Sequence, residues 1–284
     1  MTTRSTNSTI LSMISTLIEY ARFGVQVCKV MSGQECTHME IPKGITYLNK
    51  AYEVIYRKVP HLSGKHVISI NNDTFVNCKS TLKSASFPKI LTIPAQGFFE
   101  CKLLESVDLS WATQVGGGAF NNCTSLTELN LPYATTLSSQ IIRGSGIKII
   151  RLPKVEKMPY QALMDAPALE EAYLESVTTT ESDWLTNCPK LKKLYVGRIT
   201  SFGNYFVAST ELEYIGIKPG STSRINIYKF PKLTEECLIQ LFENYADFTK
   251  IVGSLTLQLT QEQYENIEGY LFMLDEKNIN YEVV

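Results

Sequence analysis

The chain has 284 residues and nearly balanced charge, with 27 Lys and Arg against 28 Asp and Glu and a net charge of −1. No basic stripe stands out, which argues against a nucleic-acid partner, and no run approaches the ~20 apolar residues that a membrane-spanning helix needs. The seven cysteines are an odd number, and a disulfide framework is typical of small secreted domains rather than of a chain this long.

Residues 1–65 form the first region of the chain. An apolar stripe at helical spacing predicts an amphipathic helix over about 9–30, with Ser8 or Thr9 as its N-cap. The stripe consists of Ile10, Met13, Ile14, Leu17, Ile18, Ala21 and Val25. We expect this region to cap the next one or to anchor the chain on a partner. The pattern of residues 31–65 leaves their fold open.

The start of the chain does not read as a secretory signal. Its apolar stretch is interrupted by Ser12, Ser15 and Thr16, whereas a signal needs a continuous one. We therefore expect the chain to stay in the cytoplasm or to leave it by another route, such as assembly into a phage particle.

Residues 66–218 repeat a pattern every 21 to 22 residues. Three apolar columns spell L-x-x-L-x-L seven times: Leu82, Leu104, Leu126, Ile147, Leu169, Leu191 and Leu212; Ala85, Val107, Leu129, Ile150, Ala172, Leu194 and Ile215; and Phe87, Leu109, Leu131, Leu152, Leu174, Val196 and Ile217. A period of this length with this core predicts a leucine-rich-repeat solenoid, in which each unit buries its apolar side against its neighbours.

Two further columns complete the repeat. A small or thiol side chain precedes the first leucine, and a bulky apolar plug precedes that small residue. The small column includes Cys78, Cys101, Cys123, Ala166, Cys188 and Ser209, and the plugs are Phe75, Phe98, Phe120, Ile142, Leu163, Leu185 and Phe206. The cysteines of this column are interpreted as buried thiols that act as small hydrophobic side chains.

The repeat resembles a known family. Residues 119–132 read Ala-Phe-Asn-Asn-Cys-Thr-Ser-Leu-Thr-Glu-Leu-Asn-Leu-Pro, which resembles the BspA type of leucine-rich repeat, A-F-x-x-C-x-x-L-x-x-L-x-L-P. Later copies depart from this form, since the plug becomes Ile142, Leu163 or Leu185 and the closing proline is lost from the last three. The resemblance implies a solenoid that binds something, but neither a particular ligand nor catalysis.

Residues 219–284 predict a helix, a strand, a second helix and a last strand. Thr234 precedes two glutamates and an apolar stripe, which is typical of a helix start. Residues 254–259 alternate like a strand, a second helix is expected from Thr260 to about Glu276, and a last strand over 280–283. We expect this α/β module to cap the open end of the solenoid, so that the whole chain is α+β. Residues 233–249 also resemble the tail that follows such repeats in proteins of gut bacteria and their phages.

The sequence offers no convincing catalytic, metal or cofactor site. Cys28, Cys36 and His38 fit no closed zinc arrangement. The glycine run Gly116–Gly118 lacks the Lys-Ser/Thr of a phosphate loop and is interpreted as a tight turn.

The exposed strand positions are the candidate binding surface. Large side chains gather there in the last four repeats: Arg151, Glu171, Tyr173, Lys193, Tyr195 and Tyr214. Tyrosines with a few charges are typical of recognition sites, although tyrosine also favours strands for structural reasons.

These features predict a non-enzymatic binding protein. The leading hypothesis is a phage virion component, of the tail or fibre, that presents a repeat face to a protein or to a glycan or protein of the host surface, and that contacts other virion proteins through residues 1–65. One alternative is a bacterial cell-surface or secreted adhesin. Another is a cytoplasmic scaffold or an enzyme built on the end regions.

Overall fold

The computed structural model describes residues 34–49, 57–72, 74–203, 211–248 and 255–284, together with Arg22 and Gln26, which are both helical. Apart from these two residues, the expected helix over 9–30 lies outside the described part of the chain, as do Phe206 and Ser209. No helix in the described ranges is long and apolar enough to cross a membrane.

A ladder of short parallel strands, one per repeat, runs along the molecule. Its strands are β1 (His38–Glu40), β3 (His61–Ser63), β5 (Ser84–Ser86), β7 (Ser106–Asp108), β9 (Glu128–Asn130), β11 (Ile149–Arg151), β13 (Glu171–Leu174), β15 (Lys193–Val196) and β16 (Tyr214–Gly216). The first four form one sheet and the last five another, so that β7 and β9 belong to different sheets. The ladder extends to residues before 66, because β1 pairs with β3 and β3 pairs with β5.

Two-residue parallel strands line another side of the repeats in three separate sheets, which we call together the second ladder. They are β2 (Tyr47–Leu48), β4 (Ser69–Ile70), β6 (Thr92–Ile93), β8 (Gln114–Val115), β10 (Thr136–Leu137), β12 (Lys157–Met158) and β14 (Thr179–Thr180). The second residue of each pair is buried. Alternation of side chains across a strand explains this, because the first residue then faces outward.

The apolar columns of the sequence lie in the core between the two ladders. All three leucine columns are buried except Val107, which is half-buried where β7 and β9 separate. The plug column begins with a stack of phenylalanines, whose ring centroids are 5.1 Å apart between Phe75 and Phe98 and 5.4 Å between Phe98 and Phe120. The repeat-rich, mostly parallel architecture with few helices is that of a leucine-rich-repeat fold.

The cysteines of the thiol column are buried, and among the described residues no disulfide joins them. The thiol of Cys123 donates a hydrogen bond to the carbonyl of Phe98, 3.0 Å away, and that of Cys188 donates to the carbonyl of Leu163 at 3.2 Å. Burial raises the pKa of the Cys123 thiol to about 12, so these thiols remain protonated and unreactive at neutral pH. They act as small core side chains that also bond the neighbouring repeat.

Each central repeat turns through two residues with left-handed backbone. One column is Gln96, Gly118, Gln140, Gln161 and Asp183, and the other is Glu100, Asn122, Gly144, Asp165 and Asn187. Glycine, asparagine and aspartate tolerate this conformation better than other residues do. Because this position needs a left-handed backbone, a glycine can occupy it at Gly144 where Asn122 and Asn187 occupy it in other repeats.

The C-terminal elements are a 3₁₀ turn at Ile227–Lys229, helix α1 (Glu235–Asn244), strand β17 (Leu255–Leu259), helix α2 (Gln261–Ile267), a 3₁₀ turn at Glu268–Tyr270, helix α3 (Phe272–Glu276) and strand β18 (Ile279–Val283), which pairs in parallel with β17. The prediction of a single helix from Thr260 to Glu276 is therefore wrong. It is broken after Ile267, and the glycine at 269 is a poor helix former that helps to explain the interruption.

Side chains fix the ends of these helices. The hydroxyl of Thr234 accepts a hydrogen bond from the backbone N–H of Cys237 at the start of α1. Thr260 and Gln263 form a reciprocal capping box at the start of α2. The ammonium of Lys277 donates to the carbonyls of Phe242, Glu243 and Tyr245 at 3.0, 2.6 and 2.9 Å, which satisfies the last turn of α1.

Candidate functional site

Four neighbouring strands of the second sheet bring the candidate binding residues onto one surface. One column holds Glu171 on β13, Lys193 on β15 and Tyr214 on β16, and the other holds Arg151 on β11, Tyr173 on β13 and Tyr195 on β15. Parallel pairing in register places the members of a column side by side, and strand alternation turns them all outward. We call these six residues the tyrosine face.

Aromatic contacts run continuously across the tyrosine face. The rings of Tyr173 and Tyr195 are nearly parallel, at 5°, with centroids 4.7 Å apart. The ring of Tyr214 follows at 5.1 Å from Tyr195, tilted by 42°. At the other end, the guanidinium of Arg151 lies over the Tyr173 ring, 4.8 Å from its centroid, as a cation–π contact.

Two residues that the sequence analysis missed hold Tyr214 in this stack. Gly216 lies beside Tyr195 in the strand register, and a Cβ atom there would be 3.0 Å from Cε1 of Tyr214 and 3.1 Å from Cδ1 of Tyr195. The missing side chain therefore leaves room for the Tyr214 ring to lean toward Tyr195. The Tyr214 hydroxyl donates a 2.7 Å hydrogen bond to Oε1 of Gln240 in α1.

Charged groups tie the same surface together. The hydroxyl of Tyr173 donates to Oε2 of Glu171 at 2.7 Å, and the ammonium of Lys193 lies 3.3 Å from Oε1 of the same carboxylate. The Tyr173 hydroxyl lowers the pKa of Glu171, with a smaller effect from Lys193. The same hydrogen bond raises the pKa of Tyr173 to about 12. Arg151 also pairs with Glu128 on β9, so the face is a connected network of rings and charges.

The N-terminal half of the same ladder is chemically different. Its exposed positions are mostly small and polar, with Ser84, Ser86, Ser106 and Asp108 on β5 and β7. Nδ1 of His61 lies 2.9 Å from Oγ of Ser84. In the described ranges no carboxylate is hydrogen-bonded to the other nitrogen of that imidazole, so within those ranges the pair lacks the third member of a serine-hydrolase triad.

The described residues of the other candidate chemical motifs have structural roles. Gly116–Gly118 lie in a turn after β8, and a Cβ on Gly116 would be 2.3 Å from the backbone nitrogen of Ala95, which fits the interpretation as a tight turn. Cys28 lies outside the described residues, while the Cys36 thiol donates to the carbonyl of His38 at 3.3 Å. Across the described part of the chain, no three His, Cys, Asp or Glu side chains are grouped so that they could hold a metal ion.

Repeated leucine columns on parallel strand ladders define the class of leucine-rich-repeat proteins. The model of the BspA type leucine rich repeat region matches this chain in six copies, over residues 59–170 and 133–235. The chain therefore belongs to the BspA-type leucine-rich-repeat family. Proteins of this kind bind other proteins or surfaces, and the match indicates no catalytic family.

Two solved structures are similar over most of their length. A leucine rich cell surface protein from Faecalibacterium prausnitzii is 14% identical, with 88% of this chain and 84% of that chain covered and a TM-score of 0.35. A leucine-rich repeat protein from Bacteroides ovatus is 15% identical, with 89% and 67% covered and a TM-score of 0.38. The comparison with curated proteins found no match.

Proposed function

We propose that the chain is a non-enzymatic recognition protein that binds a protein partner through the tyrosine face. The observation that supports this most is the unbroken run of contacts from Arg151 through Tyr173 and Tyr195 to Tyr214. Tyrosine and arginine are the residues most enriched at the energetic centres of protein interfaces.

The tyrosine face is ordered before any partner arrives. Tyr173 is held by Glu171, and Tyr214 by Gln240, through hydrogen bonds of 2.7 Å each. Fixing a rotamer-rich side chain on binding costs roughly 0.5–1.5 kcal/mol, so side chains that are already fixed avoid much of that cost. The rings remain only half-buried, and their outer surface is available to a partner.

The charges on the face favour a partner that carries both signs. Lys193 and Arg151 lie beside the carboxylates of Glu171 and Glu128. A partner with complementary charges around an apolar centre would be selected by this arrangement, while a strongly acidic or basic surface would meet like charge. This mixed pattern supports a folded protein surface as the ligand.

The surroundings of the face support distinct roles for the three regions of the chain. In the proposal, residues 66–218 present the face and residues 219–284 cap the end of the ladder at β16. Residues 1–65, whose strands β1 and β3 extend the ladder, cap or anchor its other end. Helix α1 packs beside β16, where the Cys237 thiol lies 3.2 Å from the backbone nitrogen of Ile215. That contact covers the last strand of the ladder, as a capping element must.

The setting that we propose is the surface of a bacterium, where the chain acts as an adhesin. Membership in the BspA-type family supports a binding role of this kind. A phage particle and the cytoplasm remain the alternatives, and the virion hypothesis has no support from the comparisons. Fractionating a culture that produces the protein separates the three. Protease-sensitive protein on intact cells is expected, whereas protein found only in purified virions or only in the soluble cell extract would overturn this setting.

A pair of photo-crosslinking variants tests the binding surface. A photoreactive residue at Asn130, which lies beside Arg151 in the strand register, should capture the partner. The same group at Ser84, on the other sheet of the ladder, should capture much less. Equal capture from both positions would place binding elsewhere.

Truncating the rings then measures their contribution. Changing Tyr173, Tyr195 and Tyr214 together to Ala should abolish binding, since each hot-spot residue contributes about 2 kcal/mol or more. The matched control changes Tyr160 and Tyr270, two exposed tyrosines outside the face, and should bind like the wild type. Full binding by the triple variant would refute the proposed function.

A further inference from the structure

A second surface, away from the tyrosine face, has the features of a small ligand site. A cavity of about 350 Å³ is lined by Leu91, Trp111, Thr113 and Tyr133, which we call the aromatic cleft. This volume lies within the range of roughly 300–1,000 Å³ that is usual for ligand pockets. Trp111 is 54% exposed and Tyr133 is 47% exposed, which is unusual for side chains of this size.

The cleft lies in turns that join the two ladders, where β7 and β9 belong to different sheets but β6, β8 and β10 are paired. Trp111 follows β7 and Tyr133 follows β9, and these two strands belong to different sheets. The rings occupy equivalent positions in successive repeats, each two residues after the last leucine of its unit. Equivalent residues on a continuous ladder stack closely, as Tyr173 and Tyr195 do at 4.7 Å. Here the equivalent side chains line a cavity instead.

Lysines flank the aromatic pair along the same column. Lys154 follows Tyr133 one repeat later, and its ammonium lies over the Tyr133 ring, 4.1 Å from the centroid. Lys89 precedes Trp111 by one repeat, at the equivalent position, and is exposed. The column therefore reads lysine, tryptophan, tyrosine, lysine, which puts positive charge at both ends of an apolar platform.

Thr113 in the cleft and Thr135, its equivalent in the next repeat, carry oxygens that can accept hydrogen bonds. The hydroxyl of Thr113 donates to the carbonyl of Leu91 at 3.1 Å, and that of Thr135 donates to the carbonyl of Thr113 at 3.3 Å. Because each hydroxyl already donates its proton to a carbonyl, its oxygen can act toward a ligand only as a hydrogen-bond acceptor, through its lone pairs. The cleft thus combines flat apolar rings, hydroxyl acceptors and flanking cations.

We propose that the aromatic cleft binds an acidic saccharide. The C–H face of a sugar ring is apolar and flat enough to cover an exposed indole or phenol, and its hydroxyls can donate to Thr113 and Thr135. The carboxylate or sulfate of the sugar would lie near Lys154 or Lys89, where opposite charge is favoured. An apolar peptide side chain would fill the same cavity but would make no use of the positive charges of the two flanking lysines.

The fluorescence of the chain gives a direct readout of this site. The protein has two tryptophans, and Trp184 is completely buried, so a ligand in the cleft should change the emission of Trp111 alone. The full-length protein is first applied to a glycan array that carries uronic-acid, sialylated and sulfated saccharides beside their neutral counterparts. The acidic saccharide bound most strongly is then titrated in solution against its neutral counterpart.

Three variants decide the outcome. Trp111→Ala lacks the reporting tryptophan, so its binding is measured by titration calorimetry; it should be about tenfold weaker, the loss expected for one stacking contact. Lys154→Gln should weaken binding of the acidic saccharide by about threefold, with less effect at high salt, because salt screens exposed charges. Phe272→Ala, which truncates an equally exposed ring on α3, is the matched control and should bind normally.

Each alternative result has a definite meaning. No binding to any acidic saccharide on the array, or unchanged binding by Trp111→Ala, would overturn the proposal. Equal affinity for the neutral counterpart would overturn the assignment of acidic ligands. The triple tyrosine variant of the tyrosine face should bind the saccharide like the wild type, which separates this site from the proposed protein-binding function.

Discussion

The phenylalanine stack in the core gives the sharpest test of how the repeats hold together. Phe98 is completely buried and its ring lies between those of Phe75 and Phe120, at 5.1 and 5.4 Å. Phe98→Ala removes the ring from both contacts and leaves a cavity between three repeats. Truncation of a buried phenylalanine costs about 3–5 kcal/mol, and we expect the upper half of that range because both neighbours lose an aromatic contact.

Urea unfolding followed by circular dichroism measures this cost. Phe98→Leu should destabilise the protein by only about 1–2 kcal/mol, because leucine fills the same column at Leu163 and Leu185 and leaves a smaller cavity. Phe99→Ala is the matched control. Its ring points outward beneath the ammonium of Lys79, so its loss should cost less than about 1 kcal/mol. A cost for Phe98→Ala no larger than for Phe99→Ala would refute the stacking account.

Three further predictions concern the tyrosine face and the C-terminal region. Gly216→Ala should displace the ring of Tyr214 and weaken partner binding, while the free energy of unfolding, measured in urea, changes by less than about 1 kcal/mol; unchanged affinity would contradict the packing described. Gln263→Ala removes a buried side chain whose amide donates hydrogen bonds to the carbonyls of Ile227 and Phe230 and accepts one from the backbone N–H of Thr260 at the start of α2. It should lower the free energy of unfolding by about 2–3 kcal/mol in the same urea assay, and the exposed Gln261→Ala is the near-neutral control. Glu171→Gln should lower the pKa of Tyr173 from about 12 toward the ordinary tyrosine value of 10, measured by NMR of ¹³C-labelled tyrosine rings; a pKa that stays at about 12 would show that the carboxylate is not the cause.

The repeat itself could be predicted from the sequence because burial imposes a fixed spacing on it. The plugs Phe75, Phe98 and Phe120 and the thiols lie in the core where the period places them, as do the three leucine columns apart from the half-buried Val107. The outward positions of Tyr173 and Tyr195 also follow from simple alternation along a strand. These features depend only on local geometry that each repeat copies from the last.

Other features depend on contacts between elements and left no such pattern. Nothing in the sequence shows that Gln240 of α1 meets the hydroxyl of Tyr214, since the two residues come from different regions. The extension of the ladder to β1 and β3 was missed because those strands lack the full leucine pattern. The aromatic cleft was missed because Trp111 and Tyr133 fall outside the L-x-x-L-x-L core, although their spacing of 22 residues was visible.

The central claim is that the tyrosine face carries the binding energy for a protein partner. Tyr195 contacts both other rings and is therefore the residue to change first. The partner identified by photo-crosslinking is titrated, by calorimetry, against wild type, Tyr195→Ala and the control Tyr270→Ala, and the difference in affinity gives the contribution of Tyr195. We predict about thirtyfold weaker binding for Tyr195→Ala, which corresponds to about 2 kcal/mol, and wild-type affinity for the control. Equal affinities for all three proteins would contradict the claim.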